Sequence, residues 1–452
     1  LAIAQRKARS SKIAEPVLAI AALEDDVRTN FLARPLAPEL PPRPEKVPKP
    51  RRPTGRKALP KHIPAEEHFV APQCCAGCGA TDLEVVDKVI ENKLHVVKEH
   101  QRRRVVVRQT CRCRQCGERT TARSLPSPFE RSKVTCGWLA WLIVTKFVLL
   151  VPLDRLRRDL AARGVHVSMS FLVSQIERAA DILGPVDGEH WKQLLVGNWM
   201  ATDATGLKVL VPGLPKAHNG HLEVYRRDEL VVFQYEADKS SDALVSKLGR
   251  FSGILVADAE HRHNGVFATS RVLEAGCNAH GVRKFEAAQN VQPTLAAEGG
   301  QFLSAIYVVE NEAQKLGLRG DDLLAARQAR IPDIMCDFKV WMDAVEPILI
   351  PSDPLAGAIR YYRNHWDALF RFVDHPEIPI DNSASEREFQ HVAKFRLNCL
   401  FAGGTEGAHR SAVLLGLAAT CRNLGVDPLA WFTWALERRG THRDLFDMPV
   451  AD

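Results

Sequence analysis

The chain has 452 residues, 46% of them hydrophobic and 25% charged, with 61 Lys and Arg against 54 Asp and Glu for a net charge of +7. That length gives room for about three domains, and the apolar content excludes a disordered or fibrous chain. Eleven cysteines, an odd count, with no evident secretory leader or membrane-spanning run, make a disulfide-framed secreted protein the weaker reading, and the expected place is the cytoplasm, on the nucleoid.

The net charge hides a division. Residues 1–134 carry 27 Lys and Arg against 15 Asp and Glu, a net of +12, and the remainder carries 34 against 39, a net of −5. Within residues 1–60, positions 13–31 fit a short helix. Positions 36–60, with Pro41-Pro42-Arg43-Pro44 and Arg51-Arg52-Pro53, read as an extended basic linker. Residues 61–134 hold two knuckles, Cys75-Ala76-Gly77-Cys78-Gly79 and Cys113-Arg114-Gln115-Cys116-Gly117. Four thiolates in this spacing fit a tetrahedral structural Zn²⁺ site. The glycines favour Cys75, Cys78, Cys113 and Cys116 over the adjacent Cys74 and Cys111, because a knuckle turn needs a residue tolerant of positive φ. Strands over 83–90 and 94–107 would return the second knuckle to the first. Arg102, Arg103, Arg104 and Arg108 precede that knuckle, and Arg112 and Arg114 interleave it. A basic ribbon of this kind neutralises phosphates, so the module is expected to bind DNA with a steep salt dependence. Zinc alone would serve equally to stabilise a fold or to bind protein.

Residues 135–195 read as helical. The apolar run 138–151 contains Lys146 and is too short to span a membrane, so a buried helix is expected. An amphipathic helix over 152–162 is broken by Arg163-Gly164, after which Ser168 or Ser170 caps a second helix carrying Phe171, Leu172, Ile176 and Ala179. The pair fits a helix-turn-helix, and equally an ordinary packed helical domain.

Residues 196–405 carry the acids of interest. The segment 199–211 reads as extended, with Asp203 followed by alternating Leu207, Val209 and Val211. Two further strands are expected over 222–226 and 230–235. The run Gly253-Ile254-Leu255-Val256-Ala257-Asp258 is continuously apolar and ends in an aspartate, as a buried central strand would. Residues 290–376 read as a helical insertion, with Leu303, Ile306, Tyr307, Val309, Trp341, Ile359, Tyr362, Trp366 and Phe370 as buried candidates. After it, Asp381 and Asn382 are N-caps for a helix whose apolar stripe runs Phe389, Val392 and Ala393. Glu386 falls on that stripe, where an unpaired carboxylate implies a metal, an arginine or a catalytic task. The other reading puts Glu386 at the rim, interacting with the helix dipole. Residues 406–452 close the chain with helices over 410–424 and 428–438. A strand with Asp203, two more strands, a buried strand ending in Asp258 and a later helix with Glu386 form a ribonuclease H-like α/β layout, which gathers three acids at one sheet edge.

Five motifs sharpen this: Asp203-Ala204-Thr205; Val256-Ala257-Asp258-Ala259; Cys277-Asn278-Ala279-His280-Gly281-Val282-Arg283-Lys284-Phe285; Asp381-Asn382-Ser383-Ala384-Ser385-Glu386-Arg387; and Asn398-Cys399-Leu400-Phe401-Ala402-Gly403-Gly404. From about residue 55 to the C-terminus the chain resembles transposases of the bacterial insertion sequence 66 family, a DDE group, and the last two motifs in this order are the most specific. The resemblance implies that Asp203, Asp258 and Glu386 are a catalytic triad for DNA cleavage and strand transfer. It also implies companion proteins from the same element, at least a dimer when two DNA ends are held, and a longer N-terminal coiled coil before the linker. Three positions depart from the family pattern: Ala204 where an acid is usual, Asn278 where an aromatic is usual, and Gln390 where an arginine is usual.

The chemistry accounts for three acids. Cutting and joining DNA are in-line displacements at phosphorus, in which two divalent cations about 3.5–4 Å apart clamp the attacking and leaving oxygens. Oxygen ligands suit Mg²⁺ or Mn²⁺, and Asp203, on the central strand, is expected to serve both ions. His261, His263 and His280 could reach phosphate, with Arg283 and Lys284 one turn after His280, although each also fits a structural or surface role. Cys277 reads as a small core residue on an apolar strand. Arg387, Lys394 and Arg396 are candidates for DNA contact or for a solvated basic face. Two other functions fit the same residues: a catalytically inactive, zinc-dependent DNA-binding protein derived from a transposase, and a structure-specific nuclease. Retention of three costly clustered acids argues against the first.

Overall fold

The structure, a computed structural model, describes residues 101, 104–106, 110–112, 119–121, 125–399 and 402–438. The chain divides into two units, one of residues 37–105 and one of residues 1–36 with 106–452, and every element below belongs to the second. The expected helix over 13–31, the linker, Cys75, Cys78, Cys113, Cys116, Arg102, Arg103 and Arg114 lie outside the described residues. Strand β1 (Thr110–Arg112) pairs antiparallel with β2 (Arg119–Thr121), Cys111 opposite Thr120. Arg112 lies in β1, and Arg104 is exposed.

The helical region opens with α1 (Cys136–Ile143), where the Thr135 hydroxyl accepts the Trp138 N–H at 3.1 Å. One turn of π-helix, Val144–Val148, continues it. Helix α2 (Leu153–Ala162) buries Leu153, Leu156 and Leu160 at helical spacing and ends at Gly164, whose φ of +82° suits glycine. Ser168 then caps α3 (Met169–Leu195), accepting the Phe171 N–H at 3.1 Å.

Five strands make one sheet: β3 (Trp199–Val209), β4 (His218–Arg227), β5 (Leu230–Glu236), β6 (Gly253–Val256) and β7 (Val272–Ala275), in the order β5-β4-β3-β6-β7. The first three form an antiparallel meander, with Asp203 opposite Val224; β6 and β7 run parallel to β3. Helix α4 (Ser241–Lys247) crosses from β5 to β6, and α5 (Asn264–Phe267) from β6 to β7. Alternation along β3 assigns its two faces. Met200 packs on one side with Tyr225, Val232, Leu244 and Leu255, while Leu207 and Val209 pack on the other with α1, α2 and α3.

Helix α6 (Asn278–Ala288) follows β7, then α7 (Pro293–Leu316), α8 (Gly320–Gln328), α9 (Ile331–Val345), α10 (Pro354–Asn364) and α11 (Trp366–Phe370). Phe285, Phe302, Phe338, Trp341 and Tyr362 interlock there at ring separations of 5.2–6.1 Å. Gly281 is required by this packing, since a Cβ would lie 2.2 Å from the Tyr362 hydroxyl. Helices α12 (Ser383–Cys399), α13 (Thr405–Asn423) and α14 (Pro428–Glu437) end the fold, with α13 against β5.

Two sequence expectations are corrected. The expected α12 stripe holds at Val392, which is buried, and at Phe389, which is half-buried with its ring 6.1 Å from that of Phe233, but the fully buried positions also include Ser385, Glu388 and Phe395, so the stripe is wider than expected. Glu388, 5% exposed, can be buried there because Arg422 forms an ion pair with it and the Asn423 side-chain amide donates a hydrogen bond to it at 2.9 Å. Cys277 is buried as expected but lies past the strand, at the N-cap of α6.

Candidate active site

Asp203 sits on β3 between buried Thr202 and half-buried Ala204, and its Oδ1 accepts the Ala204 N–H at 2.7 Å. Ala201 pairs with Val256 in the parallel register of β3 and β6. Two residues further along each strand direction come Asp203 and Asp258, so both acids emerge at the same end of neighbouring central strands. Asp258 is held where the continuous apolar stretch of β6 runs out, its carboxylate about one-third exposed.

Glu386 comes from far along the chain, and a set of polar bonds seats its helix. The Asn382 amide donates to Thr202 O at 2.8 Å, one residue before Asp203, while the Asn382 N–H donates to Cys277 Sγ at 3.3 Å. Asp381 accepts the Ser383 N–H at 2.9 Å and the Tyr307 hydroxyl at 2.6 Å. Glu386 follows one turn later, 22% exposed, ion-paired with Arg283 and 3.9 Å from His280 Nδ1. Glu386 therefore borders the core rather than entering it.

The three acids share one electrostatic neighbourhood. Burial pushes the Asp203 carboxyl up to about 6, and the charges of Asp258 and Glu386 add to this, against the Ala204 N–H and Arg262. A cation held among them would relieve that repulsion, and an all-oxygen donor set matches a hard divalent ion.

The surrounding cations and histidines divide into separate groups. His263 is buried, 3.9 Å from Asp258, and burial together with Arg262 lowers its pKa. His280 is likewise lowered, by burial and then by Arg283. His261 is exposed, and Lys284 lies over the Tyr361 ring at 5.0 Å. Arg396 donates to Thr205 Oγ1 at 3.1 Å and to Gly206 O, which ties α12 to β3. Arg387 and Lys394 are exposed and line a different cleft, with Arg226, His391 and Arg422.

Sequence reasoning missed the buried network beneath Asp258. Glu223 on β4, 2% exposed, is ion-paired with Arg262 and Lys247 and accepts the Tyr225 hydroxyl at 2.7 Å. Burial alone would raise its carboxyl, but Lys247 and these bonds bring it below the ordinary value. Arg262 also pairs with Glu260 at 2.9 Å, so the turn after Asp258 is anchored to β4. The available signal was an acid between Leu222 and Val224 in an apolar strand.

Residues 131–410, more than half of the chain, match the Transposase IS66 family. Three proteins of Sinorhizobium fredii (strain NBRC 101917 / NGR234), each described as uncharacterized, are similar along most of the chain. Protein y4jD is 27% identical over 399 residues, 84% of this chain and 78% of its own length. Protein y4hP is 25% identical over 420 residues, 86% of this chain and 74% of its own, and y4qI is 27% identical over 414 residues, 86% and 75%. With the family match spanning the sheet, the helices after it and the segment bearing Glu386, the chain belongs to the IS66 family of transposases.

Proposed function

We propose that this protein is a DNA transposase that cuts and joins the ends of its own element through Asp203, Asp258 and Glu386, on a ribonuclease H-like core. The observation that carries the reading is the shared end of β3 and β6 from which both aspartates emerge, with the Glu386 helix bonded to β3 through Asn382. The order β5-β4-β3-β6-β7, three antiparallel strands followed by two parallel ones, supports the core assignment.

In each step an attacking oxygen forms a bond to phosphorus as the opposite P–O bond breaks, and the leaving oxygen takes up a proton. Asp203, Asp258 and Glu386 would hold Mg²⁺ or Mn²⁺, which supplies Lewis acidity and lowers the pKa of the attacking hydroxyl or water. Asp203, on the central strand of the sheet, would be the carboxylate offered to both ions. Arg283 orients Glu386 through their ion pair, with His280 beside it at 3.9 Å, and Arg396 fixes the helix that bears it.

The charged N-terminal portion serves recognition. Zn²⁺ on Cys75, Cys78, Cys113 and Cys116 would order a ribbon whose Arg102, Arg103, Arg104, Arg112 and Arg114 neutralise phosphates, with Arg387 and Lys394 as further DNA contacts. Residues 135–195 would be the adjoining helical region, with the helices from residue 290 to 376 an insertion in the catalytic domain. Holding two ends calls for at least a dimer on DNA, with companion proteins of the element as further partners.

Asp203→Asn, Asp258→Asn and Glu386→Gln are each expected to lose cleavage and joining while retaining DNA binding. Full activity in any one of them would remove that residue from the triad.

A further inference from the structure

Beside the three acids lies a donor set of different chemistry. Cys277 Sγ, His280 Nδ1 and a Glu386 carboxylate oxygen all fall within 4.8 Å of one another. Cys277 caps α6 and His280 follows three residues later, so one helical turn presents both side chains to the same side, facing α12. The separation of His280 Nδ1 from Glu386 Oε1 is 3.9 Å. Tetrahedral ligand edges are about 3.3–3.8 Å for metal bonds of 2.0–2.3 Å, so small side-chain rotations close the site.

Two further observations point to a ligand. His280 Nδ1 is buried and has no hydrogen-bond partner among the described residues, a costly state that a bound cation would end. Cys277 accepts the Asn382 N–H, a bond that favours sulfur carrying negative charge. Glu386 and His280 are both partly exposed, so an ion can reach them.

We propose that Cys277, His280 and Glu386 form a soft-metal site for Zn²⁺, distinct in chemistry from the all-oxygen site for Mg²⁺ but sharing Glu386 with it. Sulfur and imidazole select Zn²⁺ over Mg²⁺, and the fourth tetrahedral position is left to water. Arg283, about half exposed, releases Glu386 when the ion enters. Because one carboxylate serves both sites, Zn²⁺ withdraws Glu386 from the reaction and inhibits strand transfer reversibly. This last consequence rests on the assignment of Glu386 made above; the binding itself does not.

The test uses the full chain and compares it with Cys277→Ala and His280→Gln, which leave the four knuckle cysteines intact. After equilibrium dialysis against buffered free Zn²⁺, the unaltered protein should hold one more ion per chain than either variant. With Co²⁺ as probe, it should show additional thiolate-to-metal absorption. Equal metal content in the three proteins, with unchanged circular dichroism, would overturn the site. In Mg²⁺-supported strand transfer, the Zn²⁺ concentration that halves the rate should rise on the order of 10–100-fold in Cys277→Ala. An unchanged inhibitory concentration would overturn the competition. The dialysis contains no DNA, so its outcome is independent of whether Glu386 takes part in catalysis.

Discussion

Arg327 offers a quantitative test of how the Glu386 helix is supported. Its side chain is 2% exposed, forms a two-pronged pair with Glu310 at 2.8 and 2.9 Å, and stacks on Phe372 at 5.1 Å. It also donates to the carbonyls of Phe372 at 2.6 Å, His375 at 3.0 Å and Ile378 at 3.3 Å, in the segment leading to Asp381. Arg327→Met keeps most of the volume and removes every one of these bonds. Breaking a buried pair by deleting one partner costs about 3–5 kcal/mol, because the other charge stays behind. Water and relaxation recover most of the carbonyl bonding, which leaves about 1 kcal/mol more. Urea unfolding should therefore show a loss of about 4–6 kcal/mol, dominated by Glu310, with strand transfer impaired and DNA binding kept. Adding Glu310→Leu should restore a large part of that stability, since a matched apolar pair leaves no buried charge. A change below about 1 kcal/mol for Arg327→Met, or no recovery in the double variant, would refute the reasoning.

Three further outcomes follow from the same physics. Glu223→Gln should destabilise the protein by about 3 kcal/mol, because Arg262 and Lys247 lose their buried partner; urea midpoints check this, and no shift would contradict the network. Asp187 faces Gly416 with a carboxylate oxygen that has no hydrogen-bond partner among the described residues, and burial pushes its carboxyl up to about 8 from an ordinary 3.8. A raised carboxyl binds more protons folded than unfolded, so stability falls as pH rises from about 4 to 8 and levels off above. Asp187→Asn should remove that slope and gain on the order of 1–5 kcal/mol at pH 8, and parallel pH–stability curves for the two proteins would contradict it. Cys78→Ser or Cys116→Ser should release one zinc ion and weaken DNA binding, whereas unchanged zinc content would refute the knuckle site.

The elements that carry the acids were legible because their signals are local. The apolar run before Asp258 gave β6, alternation after Asp203 gave β3, and Ser168 after Gly164 marked the start of α3. What escaped depends on partners distant in sequence. Glu388 is buried because Arg422 and Asn423 reach it from α13, and no residue near it in the sequence signals those partners. Glu223 meets Arg262 39 residues away, and Tyr307 meets Asp381 across 74. Arg327 has no local signal in the sequence, since nothing in its neighbours announces three carbonyls from a later loop. Cys277 was assigned to a strand because Ala275, Gly276 and Cys277 continue an apolar run, whereas the chain turns there into α6.

The central claim is that Asp203, Asp258 and Glu386 act together on DNA. Its most direct test is strand transfer by the purified protein on pre-cut DNA bearing the element's ends, with Mg²⁺ or Mn²⁺ and Asp258→Asn as control. Joined products that vanish in the control are the predicted result. Stable DNA binding with no joining, even when companion proteins of the element are supplied, would contradict the claim and favour a non-catalytic DNA-binding descendant.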